Sequence, residues 1–217
     1  MFTHDQKYGF RIILDHIRLS NLSIYNEALL LASKGYGYKK ITKMLCKKYN
    51  MRINYSTVYK WIHNLNSPLG RYNYPEISPD LSYVIGAWLG DGTLAYRKSK
   101  HEYIVKLLVK DYDFAKEWGR RLSRALQRSR PYKPVWDKTN KRWCVRGYSK
   151  ILYLLLFETR RNLSVIKEIV SSYPAEAIRG FFDAEGSVIN NPPTIIACNT
   201  RLDIIILFKK TIIKNFY

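Results

Sequence analysis

Two acidic residues with near-identical surroundings are the residues in this chain best suited to chemistry. Asp91 ends the segment Val84–Asp91 and Glu185 ends Ile178–Glu185, 94 positions later (185 − 91 = 94), and a glycine follows each acid. A helix C-terminus carries partial negative charge and therefore favours a cation. Two carboxylates that converge there offer hard oxygen ligands for a divalent metal, and Mg²⁺ is the expected ion.

Both segments read as apolar helices that carry small residues four positions apart on one face. The small residues are Gly86, Gly90, Gly180 and Ala184. Without bulky side chains on that face, two helix backbones can approach closely, so we expect the two helices to pack together and bring the acids together. Gly92 and Gly186 are predicted to take the left-handed conformation that ends many helices.

This duplicated pattern resembles the LAGLIDADG homing endonucleases. Gly86, Asp91 and Gly92 match the third, eighth and ninth positions of the family motif, and the second copy matches with Gly180, Glu185 and Gly186. The resemblance implies an intron-encoded, site-specific nuclease that cuts both DNA strands across the minor groove with Mg²⁺. It also implies that the two acids are both catalytic and metal-binding, and that a basic residue at the end of the second strand, here Lys110, is catalytic.

The sequence between and after the two helices predicts an α+β fold with units 75–173 and 174–217. Alternating residues predict a hairpin of Thr93–Arg97 with Tyr103–Val109 and another of Pro131–Trp136 with Arg142–Gly147. Helical spacing predicts Tyr112–Leu126, Lys150–Phe157 and Leu163–Ser171. The first unit therefore has the complete αββαββα order of the family. The second unit, with strands near Ser187–Ile189 and Thr194–Cys198 and a helix over Leu202–Ile213, is about a third of a domain short of the family pattern.

In the family, each unit presents a curved antiparallel sheet to DNA, and hairpin side chains read the major groove. The candidates expected to face outward from the first sheet are Tyr96, Lys98, Lys100, Lys106, Lys133, Trp136, Lys138, Arg142 and Arg146. In the second unit the position three after Glu185 is Val188, so a basic counterpart of Lys110 is missing there. Arg201 is the candidate to take its place.

Residues 1–74 predict a helical module and a linker. Besides a helix or strand around Phe10–Ile17, three helices are expected, and the third begins at the N-cap Ser56 and buries Val58, Trp61, Ile62 and Leu65. The arrangement resembles a helix-turn-helix domain. In that interpretation the third helix faces DNA with Tyr55, Ser56, Thr57, Tyr59 and Lys60. The alternative is an ordinary helical bundle whose lysine-rich second helix is only a solvated face.

The charge balance favours a polyanionic partner, and double-stranded DNA is the expected one. The formal net charge is +20, with 12 Lys and Arg against 3 Asp and Glu in residues 1–74, and 25 against 14 in the remainder. No lipid-anchor motif, signal peptide or apolar run of membrane-spanning length is found. Three widely spaced cysteines predict neither a zinc site nor disulfides. We therefore expect a soluble intracellular protein, cytoplasmic or in an organelle matrix or stroma if an organelle encodes it, that does not bind membranes.

Two functions remain open from the sequence. Intact acids favour a DNA endonuclease, whereas the short second unit favours a non-cleaving nucleic-acid-binding protein of the same fold, either an intron splicing cofactor or a decayed remnant. The final helix also carries apolar residues on more than one face, so the sequence predicts an exposed apolar surface. Such a surface favours self-association or the docking of a missing C-terminal fragment.

Overall fold

The computed structural model describes residues 20–68 and 75–216. These residues form two compact units, and the division between the units falls near residue 73. The element predicted around Phe10–Ile17 lies outside the described residues. Where the structure is described, no helix is both long enough and apolar enough to cross a membrane.

Three helices make up the unit of residues 20–68: α1 (Ser20–Ser33), α2 (Tyr38–Tyr49) and α3 (Tyr55–Ile62). They enclose one small core formed by Ile24, Ala28, Leu31, Ile41, Leu45, Val58 and Trp61. The predicted burial of Val58 and Trp61 is confirmed. Leu65 is half exposed, because α3 ends at Ile62 and Leu65 lies beyond the helix face that packs on the core.

The predicted N-cap of the third helix is wrong by two positions. Asn54 has extended backbone angles and is the N-cap of α3, but its side chain makes no capping hydrogen bond. The carbonyl of Asn54 accepts the first bonds of the helix, from the amides of Thr57 and Val58. Ser56 therefore already lies in the first helical turn.

In the unit of residues 75–216, the elements follow the order helix, hairpin, helix, hairpin and further helices. This order confirms the predicted α+β fold class. The elements are α4 (Pro79–Asp91), β1 (Gly92–Arg97), β2 (Glu102–Val109), α5 (Tyr112–Ala125), β3 (Val135–Asp137), β4 (Arg142–Tyr148), α6 (Lys150–Thr159), α7 (Ser164–Ser172), α8 (Pro174–Glu185), β5 (Gly186–Asn190), β6 (Pro193–Ala197) and α9 (Leu202–Phe216). The predicted boundary between residues 173 and 174 falls inside this one compact unit.

Capping chemistry fixes where the first motif helix begins. Ser78 is the N-cap of α4, and its side chain accepts a hydrogen bond from the amide of Leu81 at 3.2 Å. Pro79 occupies the first turn, where the missing amide hydrogen costs nothing. From Leu81 to Leu89 every residue of α4 is buried, so this helix is the centre of the unit rather than a surface helix.

The first sheet is antiparallel with the strand order β1-β2-β4-β3. One of its faces packs on the helices, because Val105, Leu107 and Val145 are fully buried beside Trp118 and Leu122 of α5. The indole nitrogen of Trp118 donates to the carbonyl of Val84 in α4 at 3.3 Å, so the sheet, α5 and α4 form one core.

The second sheet contains β5 and β6, and it is far more exposed than the first. Val188 and Ile195 pair across this hairpin and are 70% and 67% exposed. The last helix, α9, buries Ile204 and Phe208, and the Phe208 ring stacks on Phe181 of α8 with 4.2 Å between ring centroids. Ile213 of α9 is exposed, so apolar surface is present on both α9 and the second hairpin.

Candidate active site and nucleic-acid interface

The two motif helices, α4 and α8, approach each other at glycine positions that are related by symmetry. A side chain on Gly86 would collide with the backbone carbonyl of Ala177, and one on Gly180 would collide with the carbonyl of Tyr83. Ala177 follows Tyr83 by 94 positions (177 − 83 = 94), the same offset that separates Gly180 from Gly86. The packing is therefore reciprocal, as in a pair related by an approximate twofold axis.

The two helices run in the same direction, so their C-termini lie together. A side chain on Gly90, further along α4 than Gly86, would come within 2.7 Å of the Cβ of Ala184 and 2.8 Å of the Cγ of Glu185, further along α8 than Ala177. Asp91 is the last residue of α4 and Glu185 is the last of α8. The structure thus brings the two predicted acids to the same end of one helix pair.

Gly92 and Gly186 serve close packing and do not take the predicted left-handed conformation. Their backbone angles are φ −81°, ψ 148° and φ −78°, ψ 144°, which are extended, because the chain passes directly from each helix into a strand. A side chain on Gly92 would collide with Trp88, and one on Gly186 would collide with the carbonyl of Phe182. Both positions need a residue without a side chain for this steric reason.

The charge of each acid is disfavoured by its surroundings. Burial raises the pKa of Asp91, and the nearby Arg142 guanidinium opposes this rise in part. Burial also raises the pKa of Glu185; the hydrogen bond from Asn199 lowers this pKa, and the charge of Asp91 raises it further. The dependence of the Glu185 pKa on the charge of Asp91 indicates that the two carboxylates lie close enough to repel each other, and a bound cation would relieve this repulsion.

Two residues at this site were not predicted to act there. Asn199 Nδ2 donates to Glu185 Oε1 at 2.8 Å, yet it lies in the short segment after β6, where the sequence shows no motif. Arg142 was predicted to bind DNA, and its charge acts on Asp91 because β4 returns beside β2. The signal that could have found Arg142 is its place at the start of the fourth strand, and none was available for Asn199.

Lys110 lies directly after β2, exposed, one residue before the Asp111 N-cap of α5. It makes no ion pair or hydrogen bond with either acid among the described residues. Arg201 binds Asp203 through Nη2 at 2.6 Å, and its side chain lines the cleft beside Glu185 and Asn199. The cleft is open, with a volume of about 440 Å³.

The donor set fits a hard divalent cation that keeps several water or phosphate oxygens as ligands. Asp91 and Glu185 provide carboxylate oxygens, which Mg²⁺ prefers, and within residues 20–68 and 75–216 no cluster of three metal-binding side chains occurs. Mg²⁺ is typically held by one or two carboxylates together with substrate phosphates. The remaining ligands would therefore come from water and from a phosphate.

Lys106 and Arg146 form a cationic pair on the sheet face opposite the helices. They lie directly across from each other on β2 and β4, and Thr93 is opposite Lys106 on β1. In the described part of the chain, neither cation makes an ion pair. Like charges directly opposed across strands are destabilising, so this pair has a cost unless an anion binds it. Arg142 lies on the same face, and we call this surface the open face.

The predicted outward direction of Tyr96 and Trp136 is wrong. Strand alternation and register place both side chains on the same sheet face as Val105 and Val145, the face that packs on the helices. The Tyr96 ring contacts the Tyr103 ring, with 4.8 Å between the ring centroids. Trp136 packs edge-on against Trp143, which in turn contacts Tyr112 of α5. Both are partly exposed because β1 and β3, which carry them, are the edge strands of the sheet.

The remaining sheet candidates lie at the ends of the hairpins. Lys98 and Lys100 form the short 3-10 turn between β1 and β2, and Lys138 lies in the turn between β3 and β4. Lys133 precedes β3. All four side chains are exposed.

On α3 of the three-helix unit, the predicted DNA-facing residues are mostly exposed. Tyr55, Ser56, Tyr59 and Lys60 are exposed, and Thr57 is half-buried. Positions 55, 56, 59 and 60 fall on one side of the helix, away from the buried Val58 and Trp61.

No family model matches the chain. It is 33% identical over 174 residues to uncharacterized protein MJ0398 of Methanocaldococcus jannaschii, covering 78% of this chain and 62% of that protein. It is 28% identical over 118 residues to uncharacterized protein MJ0314 of the same organism, covering 52% of this chain and 43% of that protein. The chain thus spans less than two thirds of the length of either relative.

Among solved structures, the chain is similar to I-DmoI in complex with DNA and Mn. The identity is 18%, the TM-score is 0.48, and the alignment covers 64% of this chain and 78% of that chain. It is also similar to I-DmoI in complex with DNA and Ca, with 19% identity, a TM-score of 0.49, and coverage of 64% and 72%. A structure of mesophilic variants of the homing endonuclease I-DmoI gives 20% identity and a TM-score of 0.48, covering 64% of this chain and 77% of that chain.

Proposed function

We propose that the chain is a site-specific endonuclease of double-stranded DNA that works by metal-assisted phosphodiester hydrolysis. The observation that carries the proposal is the reciprocal packing of α4 and α8, which brings Asp91 and Glu185 to one end of a twofold-like helix pair. A duplex has its own approximate twofold axis between its strands. One acid would then serve each strand.

In the hydrolysis a water oxygen forms a bond to phosphorus, the water gives up a proton, and the bond between phosphorus and the 3′ oxygen breaks. The leaving 3′ oxygen takes up a proton, so the products are a 5′ phosphate and a 3′ hydroxyl. Mg²⁺, when bound, activates the water and neutralises charge on the phosphate. Asp91 and Glu185 would hold the cation and orient it towards the scissile phosphate. Arg142, whose charge already acts on Asp91, and Lys110 would stabilise the negative charge that develops on the phosphate oxygens.

The open face of the first sheet is the proposed surface for DNA. Lys106, Arg142 and Arg146 project from it, and Lys98, Lys100 and Lys138 extend it at the hairpin ends. Phosphates would relieve the repulsion between Lys106 and Arg146, and release of counterions from DNA would add to the binding free energy. Lys133 lies at the border of this surface.

We also propose that the three-helix unit binds DNA in the manner of a helix-turn-helix domain. The exposed side of α3 carries Tyr55, Ser56, Tyr59 and Lys60. Exposed lysines of α2 lie in the same small unit, and one of them, Lys48, is paired with Glu27 of α1. A positively charged unit of this size is suited to phosphate contacts.

Selection from a pool of random duplexes tests the proposal. The native chain would be used to enrich bound duplexes in Ca²⁺, and the enriched duplexes would then be incubated with Mg²⁺ or with EDTA. We expect cutting of both strands in Mg²⁺ and none in EDTA. Specific binding without any cutting in Mg²⁺ would contradict the proposal and favour the non-cleaving binder.

A further inference from the structure

Asn199 connects the ends of the two motif helices. Its Nδ2 donates to Glu185 Oε1 at 2.8 Å and to the carbonyl of Leu89, in the last turn of α4, at 3.4 Å. One amide group therefore contacts the acid of α8 and the backbone of α4. Its side chain is half-buried in the cleft beside the acids.

The orientation of this amide is determined by a third contact. Asn199 Oδ1 accepts a hydrogen bond from the backbone amide of Arg201 at 2.9 Å. An amide oxygen can only accept and an amide nitrogen can only donate, so a flipped amide would face the Arg201 N–H with its own donor. The Nδ2 group must consequently point at Glu185.

The two acids differ in how their side chains are held. Glu185 has one oxygen engaged by Asn199, whereas Asp91 makes no side-chain hydrogen bond to any described residue. Hydrogen bonds to the ligands of a metal orient those ligands, and their loss typically costs 10- to 100-fold in metal affinity or activity. Loss of the bond from Asn199 should therefore affect Glu185 and Asp91 differently.

We propose that Asn199 is a positioning residue that fixes the Glu185 carboxylate through Oε1 and leaves Oε2 free to bind the cation. This inference rests on the proposed function, because it assigns Asn199 to the half of the site that serves one DNA strand. It makes the two halves of the site unequal: Glu185 is held in place by a donor, whereas no side chain in the described part of the chain donates to Asp91.

Three substitutions separate positioning of Glu185 from support of the loop. Asn199→Ala removes every hydrogen bond that the side chain makes. Asn199→Asp keeps an oxygen that accepts from the Arg201 amide but places a carboxylate, which cannot donate, against Glu185. Thr200→Ala alters the neighbouring exposed residue and is the matched control.

The readouts are strand-resolved cutting and metal binding. A duplex selected by the native chain would carry a different fluorophore on each strand, and cutting of each strand would be timed in Mg²⁺. Calorimetric titration of the protein–DNA complex with Ca²⁺, with the duplex checked as intact on a gel, measures cation binding apart from cutting.

With Asn199→Ala and Asn199→Asp, we expect one strand to be cut about 10- to 100-fold more slowly and the other within about threefold of the native rate. Asn199→Ala should also weaken Ca²⁺ binding about tenfold. Thr200→Ala should match the native chain in both readouts.

The inference is overturned if Asn199→Asp cuts both strands at the native rate, since the loop contact alone would then suffice. It is also overturned if both strands slow equally or if Thr200→Ala has the same effect. A native chain that binds the duplex but cuts neither strand contradicts the proposed function itself, which distinguishes the two failures.

Discussion

At the scale of single residues, the absence of a side chain at two positions matters as much as the presence of the acids. Gly86 and Gly180 each lie against a backbone carbonyl of the opposite helix. A backbone carbonyl inside a helix cannot move aside as a flexible side chain can. A methyl group at either position must therefore push α4 and α8 apart, and with them the two acids.

We accordingly expect Gly86→Ala to lower the free energy of unfolding by about 1–3 kcal/mol, the usual cost of overpacking a core. Urea unfolding followed by circular dichroism would measure it. The matched control is Gly37→Ala, where a new Cβ meets nothing within 4 Å and the backbone is not left-handed. A Gly86→Ala midpoint equal to that of the native chain would mean that the helices are not closely packed there.

The acids and the small residues could be predicted from the sequence because the pattern occurs twice, and each copy supports the interpretation of the other. Asn199 could not, because its role depends on a loop conformation that no local pattern encodes. The face predicted for Tyr96 and Trp136 was wrong because aromatic side chains on edge strands are partly exposed on either face, and only the register decides which face they occupy.

At the scale of elements, α5 is attached to the motif helices by a buried arginine. Arg121 is 8% exposed in its side chain and binds Glu117 at 2.6 Å within α5 and Glu176 of α8 at 2.6 Å. Arg120 also binds Glu117 at 2.6 Å. The pKa of Glu117 is lowered to about 2, first by the hydrogen bond from Arg120 and then by that from Arg121.

This lowered pKa predicts a pH-dependent contribution to stability. The Glu117 carboxyl has a pKa of about 2 in the folded state, against an ordinary value of 4.5. Its contribution to the stability of the fold is therefore complete above pH 4.5 and is lost as the pH falls towards 2. Glu117→Gln should therefore be less stable than the native chain at pH 7, and the difference should shrink below pH 4.5.

Urea midpoints of both proteins between pH 7 and pH 3 would measure the difference. Glu168→Gln is the control, since Glu168 is exposed and its carboxylate makes no ion pair among the described residues. If the difference in stability between Glu117→Gln and the native chain stays constant as the pH falls, the ionised Glu117 carboxylate is not its cause.

The elements themselves were largely predictable, since their residues repeat with helical or strand spacing and capping residues mark their starts. At the start of α4, for example, Ser78 is the N-cap and Pro79 occupies the first turn, both common residue types at these positions. The start of α3 was misplaced because Asn54 and Ser56 are both favourable N-cap residues, and the choice between them depends on how the helix packs in its unit.

At the scale of the whole molecule, charge is spread over both units. Residues 1–74 carry 12 basic and 3 acidic residues, an excess of nine (12 − 3 = 9). In the second hairpin, by contrast, residues 186–200 contain no charged residue. The first sheet and the N-terminal region should therefore supply most of the contacts with phosphate.

Deleting residues 1–74 should weaken DNA binding and make the slope of log affinity against log salt concentration shallower by several units. The slope should change by about 0.9 for each phosphate contact that the deletion removes. Fluorescence anisotropy with a selected duplex at a series of salt concentrations gives this slope. An unchanged slope would show that the N-terminal region does not contact phosphate, and a protein partner would become the better explanation for it.

The central claim is that Asp91 and Glu185 together form a metal-dependent centre for cutting DNA. Its most direct test is to measure binding and cutting of one selected duplex by Asp91→Asn and Glu185→Gln, with Asp113→Asn as an exposed acidic control. We predict that both site variants lose cutting in Mg²⁺ while binding stays within about tenfold, because the proposed phosphate contacts come from the first sheet and the N-terminal region and not from the two acids. Cutting by either variant at close to the native rate would contradict the claim.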